Sequence, residues 1–140
     1  MDRPLPVVDD SNRHYWDGAR QHRLVMQRCA ECRTWVHPPR PLCPGCRSER
    51  LVPEDLSGKG RVYSWSVMHS GGNPGFDERI PYAVLVVELD EQKGLLTIGN
   101  IIDCAAEDIE IEMPLEVTWE DVNDEITLPQ WRPAAAAATP

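Results

Sequence analysis

The chain has 140 residues, a formal net charge of −9 and a sequence pI near 4.8. That length suits one domain, or one domain with an appendage, and the acidity disfavours nucleic acid as a partner of the whole chain. No apolar run approaches the length of a membrane span and no signal peptide is recognisable, so the expectation is a soluble cytoplasmic protein away from the membrane.

The charge is unevenly spread. Residues 13–61 carry ten Lys/Arg against five Asp/Glu, whereas residues 77–125 carry two against fifteen. A basic first half and an acidic second half imply two different surfaces.

Met1 to Asp9 contains Pro4 and Pro6 and reads as an extended arm. Asp10 or Ser11 can cap a helix reaching about His22. Tyr15, Trp16 and Ala19 share one face of it, and Gly18 weakens it by about 1 kcal/mol. So short a helix must dock its aromatic face on the rest of the chain or on another chain. The enrichment of Trp at interfaces favours another chain, with Trp16 a candidate partner contact.

Leu24 to Arg28 reads as a strand entering Cys29-Ala30-Glu31-Cys32, and Thr34 to His37 as the strand that returns. Pro38-Pro39-Arg40-Pro41 is a stiff bridge to the second knuckle, Cys43-Pro44-Gly45-Cys46. A C-x-x-C turn sets two sulfurs on one side of a knuckle. Two such knuckles facing each other present four thiolates as a tetrahedron, the geometry of a structural Zn²⁺ site with Zn–S near ~2.3 Å. Cys29, Cys32, Cys43 and Cys46 are therefore the metal-ligand candidates. A pair of disulfides or a redox dithiol fits less well, because nothing points to secretion or to a thioredoxin-like unit; iron remains the alternative metal. Arg33 and Arg47 follow the knuckles, where a residue of positive φ is often needed. A closed Cys₄ site has no open coordination position, so it builds structure and does not activate water. His37 then has no vacant place as a ligand and reads as structural or surface. Arg40, held on the proline bridge, is either solvated or offsets the charge of the thiolates.

From Gly60 the pattern turns to short strands: Gly60–His69 with Tyr63, Trp65 and Val67 on one face, Tyr82–Asp90, Gly94–Asp103, Leu115–Asp121 and Ile126–Arg132. A single helical turn fits Cys104–Asp108, and Cys104 reads as a buried strand-end residue. Five strands with such an insertion suit a small OB-type barrel. Between the first two strands, Ser70 to Arg79 holds three glycines, a proline and Phe76, and reads either as a loop mobile in the free protein and ordered by a partner or as one whose Phe76 folds back onto the barrel. Ala134 to Pro140 reads as a disordered tail.

Several segments now fall in one order: Tyr15-Trp16-Asp17-Gly18, Leu24 to Cys29, Pro38-Pro39-Arg40, Cys43-Pro44-Gly45-Cys46, Ser57-Gly58-Lys59-Gly60 and Met113-Pro114-Leu115. The set resembles the zinc-ribbon plus OB-fold acyl-CoA-associated proteins that accompany thiolase- and aldolase-like enzymes, from about Tyr15 to Arg132. The resemblance implies a mainly β chain divided as an arm and helix (1–22), a rubredoxin-like Cys₄ zinc ribbon (23–56), a five-stranded OB barrel (57–133) and the tail (134–140). It also implies a non-catalytic subunit that binds a thiolase- or aldolase-like partner and contributes to acyl-CoA binding or passage. Glu112 departs from the glycine that commonly precedes Met-Pro in that family. Because arginine binds phosphate bidentately and aromatic rings stack on adenine, Arg40 and Arg79, with Trp16, Trp65 and Phe76, are the candidates for contact with CoA or the partner. No nucleophile–base pair can be assigned, so no catalytic residue is expected. A nucleic-acid-binding ribbon/OB protein and a rubredoxin-like electron carrier are the competing readings; the first has the wrong charge and the second would be coloured by iron.

Overall fold

The computed structural model describes residues 3–70 and 75–134. The glycine-rich middle of the loop expected to be mobile (71–74) and most of the tail expected to be disordered (135–140) lie outside the described residues.

The helix α1 spans Arg13–Arg20 and is shorter at both ends than its composition suggests. Asp9, not Asp10 or Ser11, makes the entry turn: its carboxylate accepts the N–H groups of Ser11 and Asn12 at 2.9 and 3.2 Å. His22, at φ 59°, ends it. Gly18 is there for proximity, since a Cβ at that position would lie 2.6 Å from Val25. The helix thereby presses on the strand β1 (Val25–Cys29), and Tyr15 and Ala19 are buried within the chain. The chain thus covers Tyr15 and Ala19 of this face itself through the close approach at Gly18, while Trp16 stays partly exposed.

β1 is the centre of a three-stranded antiparallel sheet ordered β2-β1-β3, with β2 at Trp35–Val36 and β3 at Leu51–Asp55. β3 has no alternating pattern and contains Pro53. It is a strand because its backbone pairs with all of β1, from Val25 opposite Asp55 to Cys29 opposite Leu51.

The second sheet runs β6-β5-β4-β7-β8, with β4 Lys59–Met68, β5 Tyr82–Leu89, β6 Leu96–Asn100, β7 Pro114–Asp121 and β8 Thr127–Pro133. A bulge between Val62 and Ser64 shifts the register of β4 against β5. It turns Tyr63 outward, 53% exposed, while Val62 is fully buried. Tyr63 therefore does not share a face with Trp65 and Val67, because one extra residue reverses the alternation. The sheet curls until Ile101 bridges Trp131 and the Ile102 N–H reaches the Trp131 carbonyl at 2.8 Å, joining its two ends. Cys104 lies outside any strand, packed against the core ahead of a 3₁₀ turn at Ala106–Asp108.

One core joins all three parts. Tyr15, Leu24, Met26 and Trp35 pack in the same cluster as Val62, Leu85, Leu115 and Trp131. Gln92, in the β5–β6 turn, clamps the ribbon to the barrel: it accepts the Trp35 N–H at 2.8 Å and donates to the Trp35 carbonyl at 3.1 Å. Among the described residues no helix is long and apolar enough to cross a membrane.

Candidate metal centre and an apolar groove

The end of β1 carries Cys29, and the two knuckles bring Cys32, Cys43 and Cys46 to it. Every pair of their sulfurs lies within 4.8 Å. Cys29 and Cys46 are 3.6 Å apart, and Cys32 and Cys43 3.5 Å, close to the edge of about 3.8 Å in a tetrahedron with metal–sulfur bonds of ~2.3 Å. These separations are far from the ~2.05 Å of a disulfide. Each knuckle is closed by the same bond: the Arg33 N–H to the Cys29 carbonyl at 3.0 Å, and the Arg47 N–H to the Cys43 carbonyl at 2.8 Å. That closure needs a left-handed residue, and Arg33 and Arg47 adopt φ 67° and 65°.

The backbone also turns donors toward the sulfurs. The Cys32 N–H points at Cys29 Sγ at 3.4 Å and the Gly45 N–H at Cys43 Sγ at 3.3 Å. The Thr34 hydroxyl, 3.1 Å from Cys32 Sγ, and the Thr34 backbone draw the Cys32 thiol down to about 6. Backbone donors of this kind stabilise thiolates, the form that binds a metal. Among themselves the four sulfurs share protons: the Ser48 N–H favours the Cys46 thiolate, but the Cys29 sulfur, burial and the other two sulfurs push Cys46 up to about 12. The donor set fits one tetrahedral ion with no position left for water.

A second feature was not foreseen. An open groove of about 520 Å³ lies between α1, the His37-Pro38-Pro39 ridge, β6 and β8. Trp16 and Pro39 stand on its wall. Arg40, next in sequence, is not one of the lining residues: its backbone N–H is held by Gln27 at 2.8 Å and its side chain is exposed. Phe76 and Arg79 lie elsewhere, in a notch of about 130 Å³ with Tyr82 and Glu120. There Phe76 packs on Tyr82 with ring centroids 5.3 Å apart, and the Arg79 guanidinium is 6.0 Å from the Phe76 ring. Trp65 is partly buried against the core and lines neither space. The structure thus gathers the four cysteines and sets Phe76 beside Arg79, while Trp16 lines the groove, Arg40 is exposed outside its lining and Trp65 stays apart.

His37 is structural, stacked on Tyr15 with centroids 5.2 Å apart. Burial, with a smaller push from His14, depresses its pKa from 6.5 to about 4. Between those values the unfolded chain holds a proton that the folded chain does not, so stability is complete above pH 6.5 and falls as the pH drops toward 4. His37→Phe, which keeps the stacking, should flatten that limb of a denaturation-versus-pH curve by on the order of 2–3 kcal/mol. Parallel curves for the two proteins between pH 6.5 and 4 would show that His37 does not titrate this way.

Comparison with known proteins agrees with this architecture. Residues 16–52 match the family described as "ChsH2, rubredoxin-like zinc ribbon domain", and residues 53–120 that described as "ChsH2, C-terminal OB-fold domain". A solved chain of an "Ltp2-ChsH2(DUF35) aldolase" superposes with a TM-score of 0.84 at 40% identity, covering 94% of this chain and 100% of that one. A DUF35 domain-containing scaffold protein of Methanocaldococcus jannaschii is 37% identical over 103 residues, 73% of this chain and 71% of its own length. A probable enoyl-CoA hydratase alpha subunit of Thermomonospora curvata is 42% identical over 132 residues; the match covers 94% of this chain but only 40% of that subunit. With ribbon and barrel both matched, and in this order, the chain belongs to the ChsH2/DUF35 family of zinc-ribbon plus OB-fold proteins.

Proposed function

We propose that this chain is a non-catalytic, cytoplasmic accessory subunit that binds a thiolase- or aldolase-like enzyme and contributes to acyl-CoA binding or passage, with a structural Zn²⁺ held by Cys29, Cys32, Cys43 and Cys46. The observation that carries the reading is the likeness over nearly the whole chain to the ChsH2(DUF35) chain of an aldolase. The site chemistry is consistent with it. Four thiolates leave the ion no open position, so its contribution is to fix the knuckles and the proline bridge. Arg40 is exposed on that bridge, one residue beyond Pro39 of the groove wall, and an exposed guanidinium on a stiff segment suits a phosphate. The acidic barrel face is set for a partner, not for a phosphate backbone.

Purification from its own cell extract should bring down a thiolase- or aldolase-like subunit, with one zinc per chain and no colour. A red, iron-loaded protein that emerges alone would overturn the reading. Arg40→Ala should weaken acyl-CoA binding about tenfold, as loss of one charge-assisted phosphate contact does. Unchanged affinity in calorimetry would remove Arg40 from the site.

A further inference from the structure

The floor of the groove is a strand edge that the barrel leaves open. The Leu89 N–H bonds the Leu95 carbonyl at 2.9 Å, so residues 95, 97 and 99 face β5 and Leu96, Ile98 and Asn100 face the other way. The Asn100 N–H confirms this direction by donating to Gln130 Oε1 on β8 at 2.8 Å. Farther back along the strand, β6 pairs with β5 alone among the described residues, which leaves the N–H and C=O of Leu96 and Ile98 turned into the groove. Ile98 is 66% exposed.

The cause of the opening lies on β8. The Val122 N–H bonds the Ile126 carbonyl at 3.0 Å, so even-numbered residues of β8 face β7 and Thr127, Pro129 and Trp131 face β6. Trp131 takes up the contact with Ile101 and Ile102. Pro129 stands at the next position that could extend the ladder, and it has no N–H to give. The closure stops there.

Two alternate residues thus offer two donors and two acceptors in a row, along an otherwise apolar trough walled by Trp16, Pro38 and Leu128. We infer that this edge receives the pantetheine arm of an acyl thioester, its two amides bonding Leu96 and Ile98 as a short added strand and its acyl group lying against the apolar walls. The inference rests on the acyl-CoA reading above and adds the moiety recognised and the place. A partner peptide would also pair with a strand edge, but only two residues are open here, fewer than strand addition by a peptide uses. The pantetheine can come from CoA or from a carrier protein, and the groove contacts are the same for both.

The test is residue-resolved hydrogen exchange of the zinc-loaded full chain, alone and with its co-purified partner enzyme, using octanoyl-CoA, octanoyl-pantetheine and octanoic acid as probes. Both thioesters should slow exchange at the Leu96 and Ile98 amides at least about tenfold at saturation. Thr97 and Gly99, already bonded to β5, should be unaffected, and octanoic acid should protect neither open amide. Equal protection by the two thioesters identifies the arm itself; protection by octanoyl-CoA alone overturns the assignment in favour of the nucleotide. Ile98→Pro removes one outward N–H and should weaken octanoyl-pantetheine binding about five- to tenfold with zinc content unchanged. If octanoyl-CoA binds by calorimetry while both amides exchange as before, the groove assignment fails and the accessory-subunit reading stands. If neither chain nor complex binds octanoyl-CoA, both fail. Protection by the partner enzyme without any thioester places a peptide on the edge and overturns the inference, as does equal protection by octanoic acid.

Discussion

Cys43→Ala is expected to lose the metal and the folded ribbon together. Cys43 is 1% exposed and its carbonyl closes the second knuckle, so the substitution breaks a ligand set and leaves the surrounding donors aimed at nothing. In small sites of this kind the free energy of metal binding is free energy of folding, about 10–16 kcal/mol for zinc-finger peptides. Metal analysis should read close to zero and partner binding should disappear. The far-UV strand signal should largely remain, because the five-stranded sheet carries its own hydrogen bonds, with an unfolding midpoint below that of the wild type. A variant that retains zinc and still assembles would show that the four sulfurs are not one site.

Trp131→Ala should be the most damaging change in the barrel. The indole is 0% exposed, covers Gly99 so closely that a Cβ there would lie 2.9 Å from the ring, and sits where the two ends of the sheet meet. Removal leaves a cavity at the closure, at a cost of about 3–5 kcal/mol. The melting temperature should fall by on the order of 10 °C. Tyr63→Ala, on the outer side of the bulge, should stay within about 0.5 kcal/mol. A loss below about 1 kcal/mol for Trp131→Ala would mean that the closure does not depend on the indole.

The metal cluster could be read from the sequence because its signal is local. Two C-x-x-C turns specify their own geometry, and even the left-handed residues after them, Arg33 and Arg47, announce themselves by position. The barrel strands showed for a similar reason, through alternation over five or more residues. The features that escaped depend on distant partners. β3 contains Pro53 and has no apolar alternation; only the backbone of β1 makes it a strand. The face of Tyr63 depends on a bulge that is defined against β5. The covering of α1 depends on how near β1 can come to Gly18. The open edge of β6 was invisible, although Pro129 inside a strand-like segment was a signal for it: a proline there says that one rung of a ladder is missing, and the fold says which.

The Gln92 clamp and the shared core bear on the thermodynamics of assembly. A surface spanning ribbon and barrel is presented already ordered, with no linker to freeze on docking. Association then loses translational and rotational freedom and some side-chain entropy, but little entropy of arranging one half against the other. Cutting the clamp by Gln92→Ala would shift that ordering from folding to binding, so two proteins of nearly equal contact surface would differ in affinity through entropy alone.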